Sequence, residues 1–208
     1  MRYGLAIFDF DGTLADSFPW VLGAMDEVAD RFKFRRPRPD ELDELRHCDA
    51  REVMRRLGVK RWKLPMIARY VRTRMAADVD QIALFDGAGA MIEEVAAAGL
   101  KLAVVSANGE ATIRTVLGPH AGRIGAFAGG VSLFGKRGKL LRMSRVAGVP
   151  PAQTMVIGDE IRDLDAARKA GMAFGAVSWG LTRADALAAR RPDALFERMT
   201  DISKTLLG

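Results

Sequence analysis

The fold is decided by the stretch Ile7-Phe8-Asp9-Phe10-Asp11-Gly12-Thr13-Leu14, where an apolar run stops on two carboxylates one residue apart. Residues 3–8 are short, largely apolar and β-prone, so they predict a buried strand that ends at the acids. In an open α/β sheet, ligands bind in the crevice beyond the carboxyl ends of the strands. Asp9 and Asp11 are therefore predicted to take part in chemistry, and the alternative is that they only cap a turn.

Beyond this stretch, short apolar strands alternate with helical patterns. Strands are predicted at 100–105, 125–131, 154–157 and 173–178. Helices are predicted at 90–98, 110–117, 140–147 and 163–170, with two more near 183–190 and 199–207. Alternation at this spacing is typical of an α/β protein with a doubly wound parallel sheet.

Residues 16–80 interrupt this alternation, because they carry helical patterns and no convincing strand. Helices are predicted at 15–34, 40–45, 49–57 and 64–79. This region is expected to form a small α-helical bundle inserted directly after the first strand. We predict a core domain of residues 1–15 and 81–208 and a cap domain of residues 16–80, called the cap segment below.

Composition and charge limit the classes of partner. The chain has 208 residues, 49% of them hydrophobic and 28% charged, which is ordinary for a globular protein. Its net charge of +6 comes from basic residues that are spread along the chain, and the sequence contains no nucleic-acid-binding motif, so we expect no nucleic-acid partner. Attraction of a small anionic substrate is sufficient to explain the positive charge. No feature of the sequence fixes an oligomeric state.

The expected location is cytoplasmic. The single cysteine, Cys48, excludes an intramolecular disulfide and fits a reducing compartment. The N-terminus runs into the first strand without a charged leader or apolar signal core, and no stretch approaches the length of a membrane span. We therefore expect no membrane partner.

Polar side chains follow the predicted core strands in four clusters. These are Asp9 with Asp11, Ser106 with Asn108, Lys136 or Lys139, and Asp159 with Asp163. At an effective dielectric of about 20, two like charges 4 Å apart cost about 4 kcal/mol, so converging acids need a cation or shifted pKa values. Carboxylates without His or Cys favour Mg²⁺, whereas a lysine and a hydroxyl suit phosphate oxygens and an aspartate can attack phosphorus. The combination indicates phosphoryl transfer.

Four segments carry a family resemblance: DFDGTLADS at 9–17, VVSAN at 104–108, FGK at 134–136 and IGDEIRDLDAARKAG at 157–171. Their order and spacing resemble the haloacid dehalogenase (HAD) superfamily across nearly the whole chain. The helical insertion is similar to the cap of its phosphoglycolate-phosphatase-like branch. The resemblance implies a HAD-like Rossmannoid core, phosphatase activity on a small phosphorylated substrate, and Mg²⁺ as cofactor.

The resemblance also implies a role for each matching residue. Asp9 would be the nucleophile, and Asp11 the acid that protonates the leaving oxygen and then the base that activates water. Ser106 and Lys136 would complete the catalytic group by binding a phosphoryl oxygen and balancing charge. The implied phosphate-binding residues are Gly12, Thr13, Ser106, Ala107, Asn108 and Lys136. The implied metal ligands are Asp9, Asp11 through its backbone carbonyl, and Asp159, with Asp163 supporting the lysine or a metal-bound water.

Several alternatives stay open at this stage. Lys139 competes with Lys136, because the lysine of many relatives precedes a proline that is absent here. Glu160 either joins the metal site or starts a helix, which is the preferred interpretation. Asp49 is predicted to cap a helix, and the neighbouring polar loop is more suited to recognition than to catalysis. The alternative functions are a phosphomutase, a dehalogenase, or a regulatory protein that retains the fold without catalysis.

Overall fold

The computed structural model describes residues 2–130 and 135–208. Its strands are β1 (Leu5–Phe8), β2 (Ala15–Asp16), β3 (Ala83–Leu84), β4 (Lys101–Val105), β5 (Ala126–Ala128), β6 (Thr154–Gly158), β7 (Ala173–Val177) and β8 (Ala194–Phe196). Its helices are α1 (Phe18–Phe32), α2 (Leu42–Leu45), α3 (Ala50–Arg56), α4 (Leu64–Ala77), α5 (Ala88–Ala97), α6 (Glu110–Leu117), α7 (Lys136–Ala147), α8 (Ile161–Ala170), α9 (Ala184–Ala188) and α10 (Met199–Leu207). Short 3₁₀ turns connect several of them.

Six parallel strands form one sheet in the order β5-β4-β1-β6-β7-β8. Strand β1 pairs with β4 on one side and with β6 on the other, so that Phe8 lies between Val104 and Ile157. The order of connection therefore reverses at β1, which makes a crevice at its carboxyl end. Asp9 follows Phe8 directly and lies in that crevice.

Successive side chains of β1 point to opposite faces of the sheet, and helices cover both of these faces. Leu5 and Ile7 pack into a cluster with residues of α7 and α8, whereas Ala6 and Phe8 pack into a cluster with residues of α5, α6 and α10. All four side chains are fully buried. A strand that is buried on both faces has a continuous run of apolar residues in its sequence. The predicted doubly wound parallel sheet is confirmed.

The elements between β2 and β3 are helical throughout. Strands β2 and β3 pair antiparallel, Ala15 with Leu84, and hold together the two points where the chain leaves and re-enters the sheet region. This small ladder was not predicted, because two residues per strand give no periodic pattern. As predicted, Asp49 caps α3: its side chain accepts a hydrogen bond from the Glu52 backbone N–H at 2.9 Å.

Two differences from the predicted secondary structure have a clear physical reason. Helix α7 begins at Lys136 rather than at residue 140, because the low helix propensity of Gly138 hid the first turn. Strand β8 was missed, since three residues after a proline give a weak signal. Val131 of the predicted strand 125–131 and Phe134 of the FGK segment lie outside the described residues.

Across residues 2–130 and 135–208, none of the helices combines the length and the apolar character needed to cross a bilayer.

Candidate active site

The carboxyl end of β1 joins Asp9 to a buried lysine. The Asp9 backbone N–H donates to Ile157 O at 2.8 Å, which continues the β1–β6 ladder and fixes the residue in place. Lys136 Nζ lies 2.9 Å from Asp9 Oδ2 and 2.6 Å from Asp163 Oδ1. Lys139, one turn further along α7, has no such contact among the described residues. The geometry therefore favours Lys136 as the lysine that acts beside Asp9.

Burial and charge act in opposite directions on these groups. Burial raises the pKa of Asp9, but Lys136 and Arg162 outweigh it and hold this pKa below its ordinary value. Burial lowers the pKa of Lys136, but Asp163 and Asp9 more than compensate and raise it. Burial raises the pKa of Asp163 to about 7, although Lys136 acts against it. Asp9 is thus an anion held against an ammonium group.

Asp11 lies in a different environment from Asp9. Asn108 Nδ2 donates to both Asp11 oxygens at 2.9 Å, and Ser106 Oγ donates to Asp11 Oδ2 at 3.3 Å. Burial and the negative charge of Asp9 raise the pKa of Asp11 to about 6. A carboxyl group with this pKa exchanges its proton near neutral pH, which suits an acid that later acts as a base.

Asp159, at the end of β6, is held by the loop that follows β1. Thr13 Oγ1 donates to Asp159 Oδ1 at 2.9 Å, and the Leu181 backbone N–H donates to Asp159 Oδ2 at 2.8 Å. Gly12 has φ +70°, and a Cβ there would overlap Asp159 Oδ2. A Cβ at Gly180 would overlap Asp159 Cβ. Glycine is therefore required on both sides of this carboxylate.

Three buried acids converge in a way that fits a divalent cation. One carboxylate oxygen from each of Asp9, Asp159 and Asp163 lies within 4.8 Å of the others. Burial and the nearby Glu160 and Asp9 raise the pKa of Asp159 well above its ordinary value, which reflects the cost of crowding like charges. Asp163 Oδ2 is buried without a hydrogen-bond partner among the described residues. Hard carboxylate oxygens of this kind suit Mg²⁺.

The structure brings most of the predicted site residues to one edge of the sheet. Asp9, Asp159, Asp163 and Lys136 form one contacting group, and Asp11, Ser106 and Asn108 form another beside it. Thr13 contacts Asp159 through its hydroxyl, as noted above. Glu160 precedes α8 as its N-cap residue, in agreement with the helix-start interpretation, and its carboxylate accepts a hydrogen bond from Arg162 at 2.5 Å.

Sequence reasoning missed two residues of this site. Arg162 is a second cation whose charge acts on Asp9, Asp11 and Asp163. The signal was available, because an arginine standing among Asp159, Glu160 and Asp163 is placed to offset their charge. Trp179 follows the last residues of β7 and has no place in the motifs named above, yet its Nε1–H donates to the Thr13 carbonyl at 3.2 Å and supports the loop after β1.

Comparison with known proteins agrees with this arrangement. The family model of haloacid dehalogenase-like hydrolases matches residues 6–177. A phosphoglycolate phosphatase of Synechococcus elongatus is 30% identical over 198 residues, which cover 94% of this chain and 93% of that protein. The tyrosine-protein kinase PtkA of Mycobacterium tuberculosis is 29% identical over 187 residues, which cover 87% of this chain and 64% of that protein.

A solved structure shows the same fold. The crystal structure of a Lactobacillus plantarum protein, provisionally assigned as a phosphoglycolate phosphatase, aligns with a TM-score of 0.82 at 23% identity and covers 98% of this chain and 99% of that chain. The family model spans most of the chain and includes Asp9, Lys136 and Asp159. The predicted superfamily is thereby confirmed, and the chain belongs to the haloacid dehalogenase-like hydrolases.

Proposed function

We propose that this protein is a Mg²⁺-dependent phosphatase that hydrolyses a small phosphorylated metabolite through an aspartyl phosphate on Asp9. The observation that carries the proposal is the contrast between two neighbouring acids. Asp9 is kept ionised by Lys136, whereas burial raises the pKa of Asp11 to about 6. Two carboxyl groups with pKa values pushed apart are suited to separate roles as nucleophile and acid. The phosphoglycolate phosphatases among the relatives support the class of enzyme.

The reaction has two balanced steps. In the first, an Asp9 oxygen attacks phosphorus, the bond from phosphorus to the ester oxygen breaks, and that oxygen takes the proton of Asp11. In the second, Asp11, now a carboxylate, removes a proton from water as the water oxygen attacks phosphorus. The bond between phosphorus and Asp9 then breaks, which returns Asp9 as an anion and releases inorganic phosphate.

The remaining residues bind and orient the phosphoryl group. Lys136 balances charge on Asp9 and on the transferred group. Ser106 and Asn108, which contact Asp11 in the structure, are near enough to exchange these hydrogen bonds for phosphoryl oxygens. Backbone groups at 12–13 and 106–108 would supply further donors. We retain residues 16–80 as the cap domain of this proposal.

Asp9, Asp159 and the backbone carbonyl of Asp11 would hold Mg²⁺, and Asp163 lies beside them with one oxygen that has no hydrogen-bond partner among the described residues. Bound there, the cation would neutralise negative charge on the phosphoryl group. The fit rests on the donor set: carboxylates are crowded together and buried, and no histidine or cysteine is among them.

The alternative functions predict different behaviour. A dehalogenase needs neither a proton-transfer acid at Asp11 nor a metal site, so the two features count against it. A phosphomutase would return the phosphoryl group to its substrate rather than to water, and would release little inorganic phosphate. A regulatory protein without catalysis would release none.

The test is release of phosphate from phenyl phosphate with and without Mg²⁺. We expect turnover that requires the metal, is abolished by EDTA and falls by several orders of magnitude in Asp9→Asn, which keeps the shape of the side chain but removes the nucleophile. Lys139→Met serves as the matched control and should retain activity. Metal-independent turnover, or an unchanged rate in Asp9→Asn, would contradict the proposal.

A further inference from the structure

A large cavity lies between the cap segment and the catalytic loops. Its volume is about 720 Å³, and helices α1 to α4 form most of its wall. On the side of the core it is lined by Ala107, which follows Ser106, and by Glu160 and Arg162, which follow Asp159 at the start of α8. The cavity therefore lies next to the proposed phosphoryl-binding residues in the sequence, and most of it is enclosed by the cap segment.

The wall of the cavity is mostly apolar. Val21, Leu42, Val53, Ile67 and Val71 line it and remain only partly buried, although each lies on a helix face that would normally be covered by a protein core. Removing apolar surface from water lowers the free energy, so a ligand that covers these side chains would be bound more tightly. These side chains are thus arranged around a space that an apolar group would fill.

The polar groups in the wall are few, and two of them are already engaged. Arg46 donates to the carbonyls of Leu181 at 2.9 Å and Gly180 at 3.0 Å, and Arg162 is paired with Glu160. Two further arginines, at 61 and 72, line the wall without a hydrogen-bond or ion-pair partner among the described residues. Their aliphatic stems add apolar surface, and their charge disfavours a cationic ligand.

We infer that the cavity binds the leaving group of the substrate, and that this group is a bulky, largely apolar alcohol or phenol. The inference rests on the proposed phosphatase function and adds the class of ester. A volume of 720 Å³ lies within the range of roughly 300–1,000 Å³ that holds ligands of drug size. The two-carbon leaving group of phosphoglycolate would leave most of this space unfilled.

Sugar phosphates and nucleotides fit the wall less well, because they carry several hydroxyls and the mostly apolar wall offers few hydrogen-bond partners, Arg61 and Arg72 among them. Each hydroxyl buried without a partner weakens binding by about 5- to 150-fold. An alkyl or aryl group meets no such penalty, and each methylene that it buries strengthens binding by about fourfold. The wall of the cavity therefore favours substrates whose leaving group carries a longer apolar chain.

The test compares phenyl phosphate with its para-methyl, para-ethyl and para-butyl derivatives, whose leaving oxygens have similar acidity. We expect kcat/KM to rise by about fourfold per added carbon until the cavity is filled, and phosphoglycolate and a hexose phosphate to be poorer substrates than the butyl compound. This series uses the unmodified protein, so it does not depend on how a variant folds.

A matched pair of variants locates the effect. Ala68 on α4 lines the cavity, whereas Ala76 on the same helix is exposed and lies outside it. Ala68→Phe should reduce the ratio of butyl to unsubstituted kcat/KM by 10-fold or more, an order-of-magnitude figure for the loss of two to three buried methylenes. Ala76→Phe should leave this ratio unchanged.

The outcomes separate the two proposals. Turnover of phenyl phosphate with no gain along the series would overturn the inference on the leaving group while leaving the phosphatase function intact. An equal change of ratio in Ala68→Phe and Ala76→Phe would also overturn it, because the effect would then not arise in the cavity. Absence of Mg²⁺-dependent turnover on every ester would overturn the proposed function itself.

Discussion

Replacing Lys136 by methionine tests the electrostatic centre of the site. The change removes an ammonium that lies 2.9 Å from Asp9 and 2.6 Å from Asp163, while most of the side-chain volume stays. At an effective dielectric of about 20, each contact is a gross attraction of about 6 kcal/mol. Asp163, whose pKa burial has already raised to about 7, can take up a proton when the ammonium is gone. This uptake of a proton should limit the loss in free energy of unfolding to about 3–5 kcal/mol, the range observed when one partner of a buried ion pair is removed.

The assay is urea unfolding in EDTA, followed by tryptophan fluorescence, at a pH above the pKa of Asp163. Lys139→Met is the matched control, because Lys139 lies one turn along the same helix and makes no described ion pair. Its free energy of unfolding should change by less than about 0.5 kcal/mol. The double variant Lys136→Met, Asp163→Asn should lose less than the sum of the two single changes. Equal destabilisation by the two lysine substitutions would refute the reasoning.

Two further predictions concern a glycine and a histidine. Gly12→Ala should lower the free energy of unfolding in urea by about 1–3 kcal/mol more than Gly58→Ala does. Both glycines have a positive φ, but only at Gly12 would the new Cβ meet Asp159. Equal losses would show that the contact with Asp159 does not matter. Hydrogen bonds to the Asp43 carbonyl and to Asp185 raise the pKa of His47 in the folded protein. Protonated His47 therefore stabilises the fold fully at a pH below the pKa that this histidine has in the unfolded chain, and the stabilisation is lost as pH rises through its pKa in the folded protein. The melting temperature of His47→Gln should therefore lie below that of the unmodified protein at acid pH and approach it at alkaline pH, and a difference independent of pH would contradict this.

Much of the fold could be predicted because its signals are local. The apolar run of β1 ends on Asp9, and buried parallel strands are recognised by such runs. The alternation of strands with helices predicts the parallel sheet, and the parallel sheet predicts that polar residues at strand ends meet at one edge. Asp159 and Ser106 could thus be placed near Asp9 without any knowledge of their contacts.

The parts that could not be predicted depend on contacts between distant segments. The choice between Lys136 and Lys139 depends on where α7 begins, and the helix begins at Lys136, whose ammonium is held by Asp9 and Asp163. The role of Trp179 depends on a hydrogen bond to Thr13, 166 positions away. The cavity arises from the spacing of four helices, which no periodic pattern encodes.

The central claim is that Asp9 carries the phosphoryl group, and acid-quenched trapping of the intermediate tests it most directly. Asp11→Asn should slow the second step, so an aryl phosphate with a good leaving group should accumulate phosphorylated protein in this variant. Peptide mapping by mass spectrometry should then find one phosphoryl group on the peptide that contains Asp9, and none after Asp9→Asn. Turnover without a protein-bound phosphoryl group, or a phosphoryl group on another residue, would contradict the account.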